Sequence, residues 1–294
     1  MNKINRIIWA VGVSLLFMGF VSCSDELGPS MFDDPASLFD PKSPTYELDT
    51  FLHNQFAKQY NVEVRYRYSI VNNSYNLVPP RIEKAGEAAR LIKYVWFDAY
   101  EELMGKEFLQ AHSPRIIELI GSSAFNPNGG EVGGTAEAGM KVVLYNCNGI
   151  NHLDLDGLNK YLFHVLYHEF THILHQKVSY PADFKDLSKG KLNPMEWSYQ
   201  SLETAAKAGF VSSYSMVSAD EDIAEIVGTY IVKSESDWEY ILSLGERDGA
   251  DGKDIILRKL KIATDWLDAT WGVDIDKLRA IVHARQASVN SLYN

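Results

Sequence analysis

The sequence predicts an α+β fold in which a small sheet rests on the first helix of a mostly helical C-terminal half. Three observations carry this prediction. Residues Val62-Glu63-Val64-Arg65-Tyr66-Arg67-Tyr68 alternate with period two, as a strand does. Arg115 to Ile120 and Met140 to Tyr145 are two further β-favouring runs, separated by a glycine-rich stretch. From Leu153 onward the apolar residues recur at helical spacing almost to the C-terminus.

The elements follow in order. Asn2, Lys3, Asn5 and Arg6 give a polar, basic start, and Ile7 to Val21 is an uncharged apolar run that fits a signal h-region better than a spanning helix. Residues 1–22 are therefore expected to be a signal peptide. Ser, Pro, Asp and Gly dominate up to about residue 45, and Pro29, Pro35, Pro41 and Pro44 deny that stretch helix or strand, so 23–45 reads as a flexible tether. A folded body is expected over 46–294. It opens with a short helix from Leu48 to Tyr60, and after the first strand comes a helix from about Glu83 to Met104, marked by Ala85, Ala88, Ala89, Leu91 and Ile92. Asn126-Pro127-Asn128-Gly129-Gly130, with Gly133-Gly134, reads as a loop joining neighbouring strands. It has neither the Lys-Ser/Thr ending of a phosphate loop nor the spacing of a dinucleotide turn. Helices are then expected at Asp156 to Gln176, Ser201 to Ala208, Asp220 to Ser234, Asp237 to Leu244, Asp254 to Thr270 and Asp274 to about Ser291.

The chain has 294 residues, 46% of them apolar, and carries no repeat, which suits one compact body. Its formal charge of −11, without a local basic patch, argues against binding nucleic acid or an anionic membrane surface. The two cysteines, Cys23 and Cys147, do not suggest a disulfide framework; Cys147 is expected as a small core or strand-end residue.

Tyr167-His168-Glu169-Phe170-Thr171-His172 reads HExxH within the helix Asp156 to Gln176. At 3.6 residues per turn His168 and His172 share a face about 6 Å apart, close enough for both imidazoles to bind one Zn²⁺. Glu169 lies beside that face and can reach a water at the metal without binding the metal, as a general base must. The pattern arises by chance in about one or two chains per hundred, so its setting matters. Leu162, Val165, Leu166, Ile173 and Leu174 anchor it in an amphipathic helix rather than a loop. His164 and His175 crowd the same helix and read as core histidines or as partners of the ligands.

A third protein ligand is needed. A histidine six residues after His172 would make a metzincin, but position 178 is Val and the intervening glycine is absent, which excludes that class. Asp220-Glu221-Asp222-Ile223-Ala224-Glu225 opens a downstream helix, where Glu221 and Glu225 share a face. The first can bind the metal while the second holds a ligating imidazole by its other N–H. Asp222 and Glu225 remain alternative ligands. Without the HExxH, the same acidic run would read as a helix N-terminus favouring the macrodipole.

Two resemblances extend this reading. Phe20-Val21-Ser22-Cys23 resembles the lipobox of bacterial lipoproteins, with Phe20 where Leu, Val or Ile is usual, and Ser24-Asp25-Glu26 resembles the surface-export signals of Bacteroidetes lipoproteins. These imply lipidation at Cys23 and an outer-membrane, cell-surface location, with membrane contact through the lipid anchor only. Gly209-Phe210-Val211-Ser212-Ser213-Tyr214, followed by Glu221-Asp222-Ile223-Ala224-Glu225, is similar to the second half of a gluzincin site of the lethal factor type. Together with Glu47-Leu48-Asp49-Thr50-Phe51 and Asn61-Val62-Glu63-Val64-Arg65-Tyr66, it resembles the zinc-binding metallopeptidase lipoproteins of Bacteroidetes over nearly the whole exported body.

The resemblance implies a zincin-like domain with His168, His172 and Glu221 on Zn²⁺, Glu225 behind them and Glu169 as base. It makes Tyr214 the donor to the tetrahedral oxyanion. Peptides or proteins would be the substrates, and the edge strand that pairs with them is expected at Met140 to Tyr145. A reading from another class is a non-catalytic surface binding lipoprotein with a structural zinc site, for instance an accessory of outer-membrane nutrient uptake.

Overall fold

The structure, a computed structural model, describes residues 39–67, 77–125, 131–137 and 139–293. The expected signal segment 1–22, Cys23, the expected tether as far as residue 38, Tyr68 and the expected loop Asn126 to Gly130 lie outside the described residues. The chain divides into Met1–Asp40 and one compact unit, Pro41–Asn294. Residues 41–45, expected in the tether, belong to that unit: Tyr46 N–H donates to the Ser43 carbonyl, and Thr45 Oγ1 donates to Asp49 Oδ2 at 2.8 Å.

Helix α1 (Tyr46–Leu52) continues through a π-helical turn, His53–Ala57, to Tyr60 and leads into strand β1 (Glu63–Arg65). Helix α2 (Ile82–Leu91) likewise passes through a π-helical turn, Ile92–Phe97, into α3 (Asp98–Met104), and a short α4 (Lys106–His112) follows. Strands β2 (Ile116–Leu119), β3 (Ala124–Phe125), β4 (Glu131–Val132), β5 (Gly134–Glu137) and β6 (Lys141–Leu144) complete the β part. The helical half then runs α5 (Leu155–Leu158), a third π-helical turn (Asn159–Phe163), α6 (His164–Lys177), α7 (Ala182–Ser188), α8 (Leu202–Lys207), α9 (Ala219–Val232), α10 (Glu235–Gly245), α11 (Gly252–Trp271) and α12 (Ile275–Ala287).

The main sheet has the order β1-β2-β6-β5. β1, β2 and β6 are parallel, with Val64 opposite Ile117 and Ile117 opposite Val142, whereas β5 is antiparallel to β6, pairing Gly134 with Leu144. Alternation sorts the side chains: Ile117, Leu119, Val142 and Leu144 join the main core, and Val143 and Tyr145 cover the other face with Ile120 and Ala124. Two expectations are corrected here. Met140 to Tyr145 is not an edge, because β6 is paired on both sides; the edges of this sheet are β1 and β5, and β5 is the one that lies against α6. The runs at 115–120 and 140–145 do pair as neighbours, but they are parallel and need more than a loop between them. The intervening stretch supplies the β3–β4 hairpin and β5.

Gly134 explains why a glycine-rich stretch becomes a strand. A Cβ there would lie 2.4 Å from Val165 Cγ1 and 3.1 Å from the Val143 carbonyl, so only a bare backbone fits between α6 and β6. Helix α6 is held from below by aromatic packing: Phe170 meets the Trp96 and Tyr100 rings edge-on, and the Tyr167 hydroxyl donates to the Val95 carbonyl at 2.7 Å. The expected helices of the second half are all present. α4 and α7, one before and one within that half, are additional. The outcome is the predicted α+β fold, with the sheet edge lying on α6.

Candidate metal centre

Helix α6 has two unlike faces. Leu166, Tyr167, Phe170, Ile173 and Leu174 point into the core, and His164, His168, His172 and His175 follow one another at three- and four-residue spacing toward a cleft. Across from it, Ser218 caps α9 by accepting from the Glu221 backbone N–H at 3.1 Å, which fixes Glu221 in the first turn. A glutamate three residues after a serine cap can turn back onto the cap's own N–H. Here the carboxylate reaches α6 instead.

Three atoms meet between the helices. His168 Nε2 and His172 Nε2 are 3.0 Å apart, and Glu221 Oε2 lies 3.1 Å from the first and 3.2 Å from the second. Four-coordinate zinc with bonds of about 2.0–2.1 Å holds its ligand atoms about 3.4 Å apart, so the spacing is close to that required. The far nitrogens have neighbours: His172 Nδ1 is hydrogen-bonded to His175 Nε2 at 2.8 Å, and His168 Nδ1 lies 2.9 Å from Glu225 Oε1 as an ion-pair contact outside hydrogen-bond geometry. Two imidazole nitrogens and a carboxylate oxygen thus face one point, and a metal cation there would take the place of protons on the Nε2 atoms.

Electrostatics agree. Burial opposes a charge on His168, yet the contacts with Glu221 and Glu225 raise its pKa to about 10. Burial also opposes ionisation of Glu221, but hydrogen bonds from His168 and His172 bring it down to about 2. His175 goes the other way: burial, with the neighbouring His172, lowers it to about 4, so it stands neutral and can accept from His172. The donor set of two imidazoles and a carboxylate suits Zn²⁺.

Glu225 holds the second turn of the site. Its Oε1 takes His164 Nε2 at 2.8 Å and its Oε2 accepts from Ser212 Oγ at 2.5 Å, and the surrounding imidazoles keep it well below the usual carboxylate range despite burial. Asp222 is placed elsewhere. It is fully buried on the other side of α9, 2.7 Å from Lys259 Nζ and accepting from Ser188 Oγ at 2.6 Å. Of the three acidic candidates on α9, Glu221 alone reaches both imidazoles.

Glu169 is buried beside the edge strand; a Cβ on Gly134 would stand 3.5 Å from its Oε1. Burial raises its pKa, against the pull of His168 and His172. Tyr214, on a turn of 3₁₀ helix, sets its ring centroid 6.0 Å from that of His168 and packs edge-on against Trp197. Partial burial, then the carboxylates Glu221, Glu169 and Glu225, raise the pKa of its hydroxyl and keep it protonated, although the residue as a whole is 36% exposed. The loop carrying Tyr214 is pinned at its start, where Gly209, with a φ of +93°, passes so close to Ile255 that a Cβ would clash at 2.4 Å. Lys259 Nζ donates to the Gly209 carbonyl at 2.8 Å.

His168, Glu169, His172, Tyr214, Glu221 and Glu225, all singled out in the sequence, therefore stand together around one cleft. Cys147 does not; it is buried behind β6, and burial pushes its thiol up to about 12. Sequence reasoning missed Ser212 and Lys259. Ser212 carries no signal in a single sequence. Lys259 does carry one, since it interrupts the apolar stripe Ile255, Ile256, Ala263, Trp266 and Leu267 of α11.

Similarity to known proteins points the same way. A solved structure titled as a putative zinc-binding metallo-peptidase from Bacteroides caccae is 33% identical, with a TM-score of 0.72, over 84% of this chain and 94% of that one. No curated protein matches. The model of a family described as "Putative zinc-binding metallo-peptidase" matches residues 41–276. That match spans most of the compact unit and includes every residue of the cleft, and the chain belongs to this family of zinc-binding metallo-peptidases.

Proposed function

We propose that this chain is a zinc peptidase that hydrolyses peptide bonds outside the cytoplasm, with His168, His172 and Glu221 as the zinc ligands. The observation that carries the reading is the convergence of those three side chains within 3.2 Å of one another, with Glu169 and Tyr214 on the same cleft. Zinc held there supplies a Lewis acid for a peptide carbonyl and brings the pKa of a water toward neutrality.

The chain's own groups do the rest. Glu169, with a carboxyl made more basic by burial, accepts the proton of the attacking water and passes it to the leaving amine. Tyr214, protonated, donates to the oxygen that gains charge in the tetrahedral intermediate. Glu225 and His175 orient His168 and His172 through their Nδ1 atoms. A substrate strand pairs with the free edge of β5, whose backbone at Gly134 to Ala136 borders the cleft.

The N-terminal sequence supports an exported protein anchored through Cys23, and no helix among the described residues is long and apolar enough to cross a membrane. Cys23→Ser is expected to release the protein from the membrane fraction. For the activity, zinc-loaded and chelator-stripped protein are compared on a peptide library. Cleavage is expected with about one zinc per chain, lost on stripping and restored by zinc; a zinc-loaded protein that cleaves nothing would refute the reading.

A further inference from the structure

The cleft has two halves of different chemistry, one on each side of His168, Glu169 and Tyr214. One, of about 340 Å³, is lined by Thr135, His175, Gln176, Ser218 and Asp220 and is polar. The other, of about 410 Å³, is bounded by Val132, Tyr161, Val165, Trp197 and Tyr214 together with His164 and Glu225, and it carries one lysine, Lys160. Val165 is buried and Trp197 half-buried, while Tyr161 stays 41% exposed, so the second half is a mainly apolar recess with an open mouth. Lys160 is exposed in a chain of net charge −11, and its ammonium lies over the Tyr161 ring at 4.6 Å, with no carboxylate paired to it among the described residues.

The direction of the cleft follows from what touches what. Gly134, at the start of β5, lies against Val165, and Gly139, just past its end, lies near Gln176, so β5 and α6 run the same way past the site. A substrate strand pairing antiparallel with β5, the stronger of the two pairings, runs the opposite way. Its C-terminal part then passes over the recess and its N-terminal part over the polar half.

Resting on the peptidase reading above, we propose that the substrates are peptides with a bulky apolar residue directly after the cleaved bond and an acidic group beyond it, a side chain or a terminal carboxylate. The recess takes the apolar side chain against Val165 and Trp197. Lys160 at its mouth takes the carboxylate. The polar half imposes no apolar requirement on the residue before the bond.

The test uses zinc-loaded full body protein and hydroxamate-capped dipeptide amides, which read binding without turnover. The first side chain beyond the hydroxamate is Gly, Ala, Leu or Phe, and the second is Glu, Gln or Lys. Leu and Phe are expected to bind about 10- to 100-fold tighter than Gly. Glu is expected to bind about threefold to tenfold tighter than Lys at the second position, with the order reversed in Lys160→Glu, an exposed change that leaves the fold intact. Trp197→Ala should flatten the first ranking and leave the second. Binding without either ranking overturns this inference and leaves the peptidase reading standing. Failure of every hydroxamate to bind overturns both. Library cleavage fixes the direction: enrichment of apolar residues before the bond rather than after it overturns the assignment of the recess.

Discussion

Replacing Lys259 with methionine tests how the two halves of the site are held together. The ammonium is fully buried, 2.7 Å from Asp222 Oδ2, 2.8 Å from the Gly209 carbonyl, and 3.8 Å and 6.0 Å from the Phe210 and Phe184 ring centroids. It thus ties α11 both to the helix that carries Glu221 and to the start of the loop that carries Ser212 and Tyr214. Methionine fills much of the volume but leaves Asp222 as a fully buried carboxylate with Ser188 Oγ as its remaining donor, its Oδ1 having no hydrogen-bond partner. Removing one member of a buried pair costs about 3–5 kcal/mol. For a body of this size each kcal/mol lowers Tm by about 2–4 °C, so a drop of about 6–20 °C is expected. Thermal unfolding followed by circular dichroism, with and without zinc, measures it. In Lys259→Met/Asp222→Leu, where no charge is left buried, most of the loss should be recovered. A single variant within about 1 kcal/mol of the wild type, or a double variant worse than the single, would refute the argument.

Other predictions address the metal site, the edge strand and acid stability. Glu225→Ala removes the carboxylate shared by His164, His168 and Ser212, and zinc affinity measured by chelator competition should fall about 10- to 100-fold. An unchanged affinity would mean that His168 is oriented by something else. Gly134→Val forces β5 away from Val165, at an expected cost of about 1–3 kcal/mol, and should lower kcat/KM while zinc content stays the same; a fully active, equally stable variant would remove β5 from the cleft. Burial opposes the charge on Glu87, yet Lys84 and both the Nδ1 and backbone N–H of His152 hold its pKa below the ordinary value. Its contribution is therefore complete above the unfolded pKa of ~4.3 and is lost as the pH falls through the lower folded value. Glu87→Gln should flatten the acid side of the stability–pH curve, and an acid side as steep as that of the wild type would contradict this.

The candidate metal centre was legible in the sequence because most of it is local. His168, Glu169 and His172 are fixed by helical period alone, and Glu221 and Glu225 by a four-residue spacing in an acidic run that opens a helix. The choice among Glu221, Asp222 and Glu225 was not legible, since it depends on how α9 is rotated against α6, and the pairing of Asp222 with Lys259 on the other side of α9 is a contact 37 positions apart along the chain. The edge strand was missed for a related reason. Gly134-Thr135-Ala136 has little β propensity and becomes a strand because β6 offers it a ladder and Val165 leaves no room for a side chain. The period-two run at Val62 to Tyr68 yields a three-residue strand, Glu63–Arg65, because β1 pairs on one side only and its register with β2 spans only three residues. His164 and His175, read as core histidines or partners of the ligands, each make a polar contact in the cluster: one bonds Glu225 and the other bonds His172.

The most direct test of the account is kcat/KM of Glu169→Gln on a peptide cleaved by the wild type, measured together with its zinc content. Glutamine matches the shape of glutamate and cannot take a proton, and Glu169 is none of the three side chains that converge on the metal position. The account predicts about one zinc per chain in both proteins and a fall in kcat/KM of about 10²- to 10⁴-fold. A zinc-replete Glu169→Gln protein with wild-type activity would contradict it.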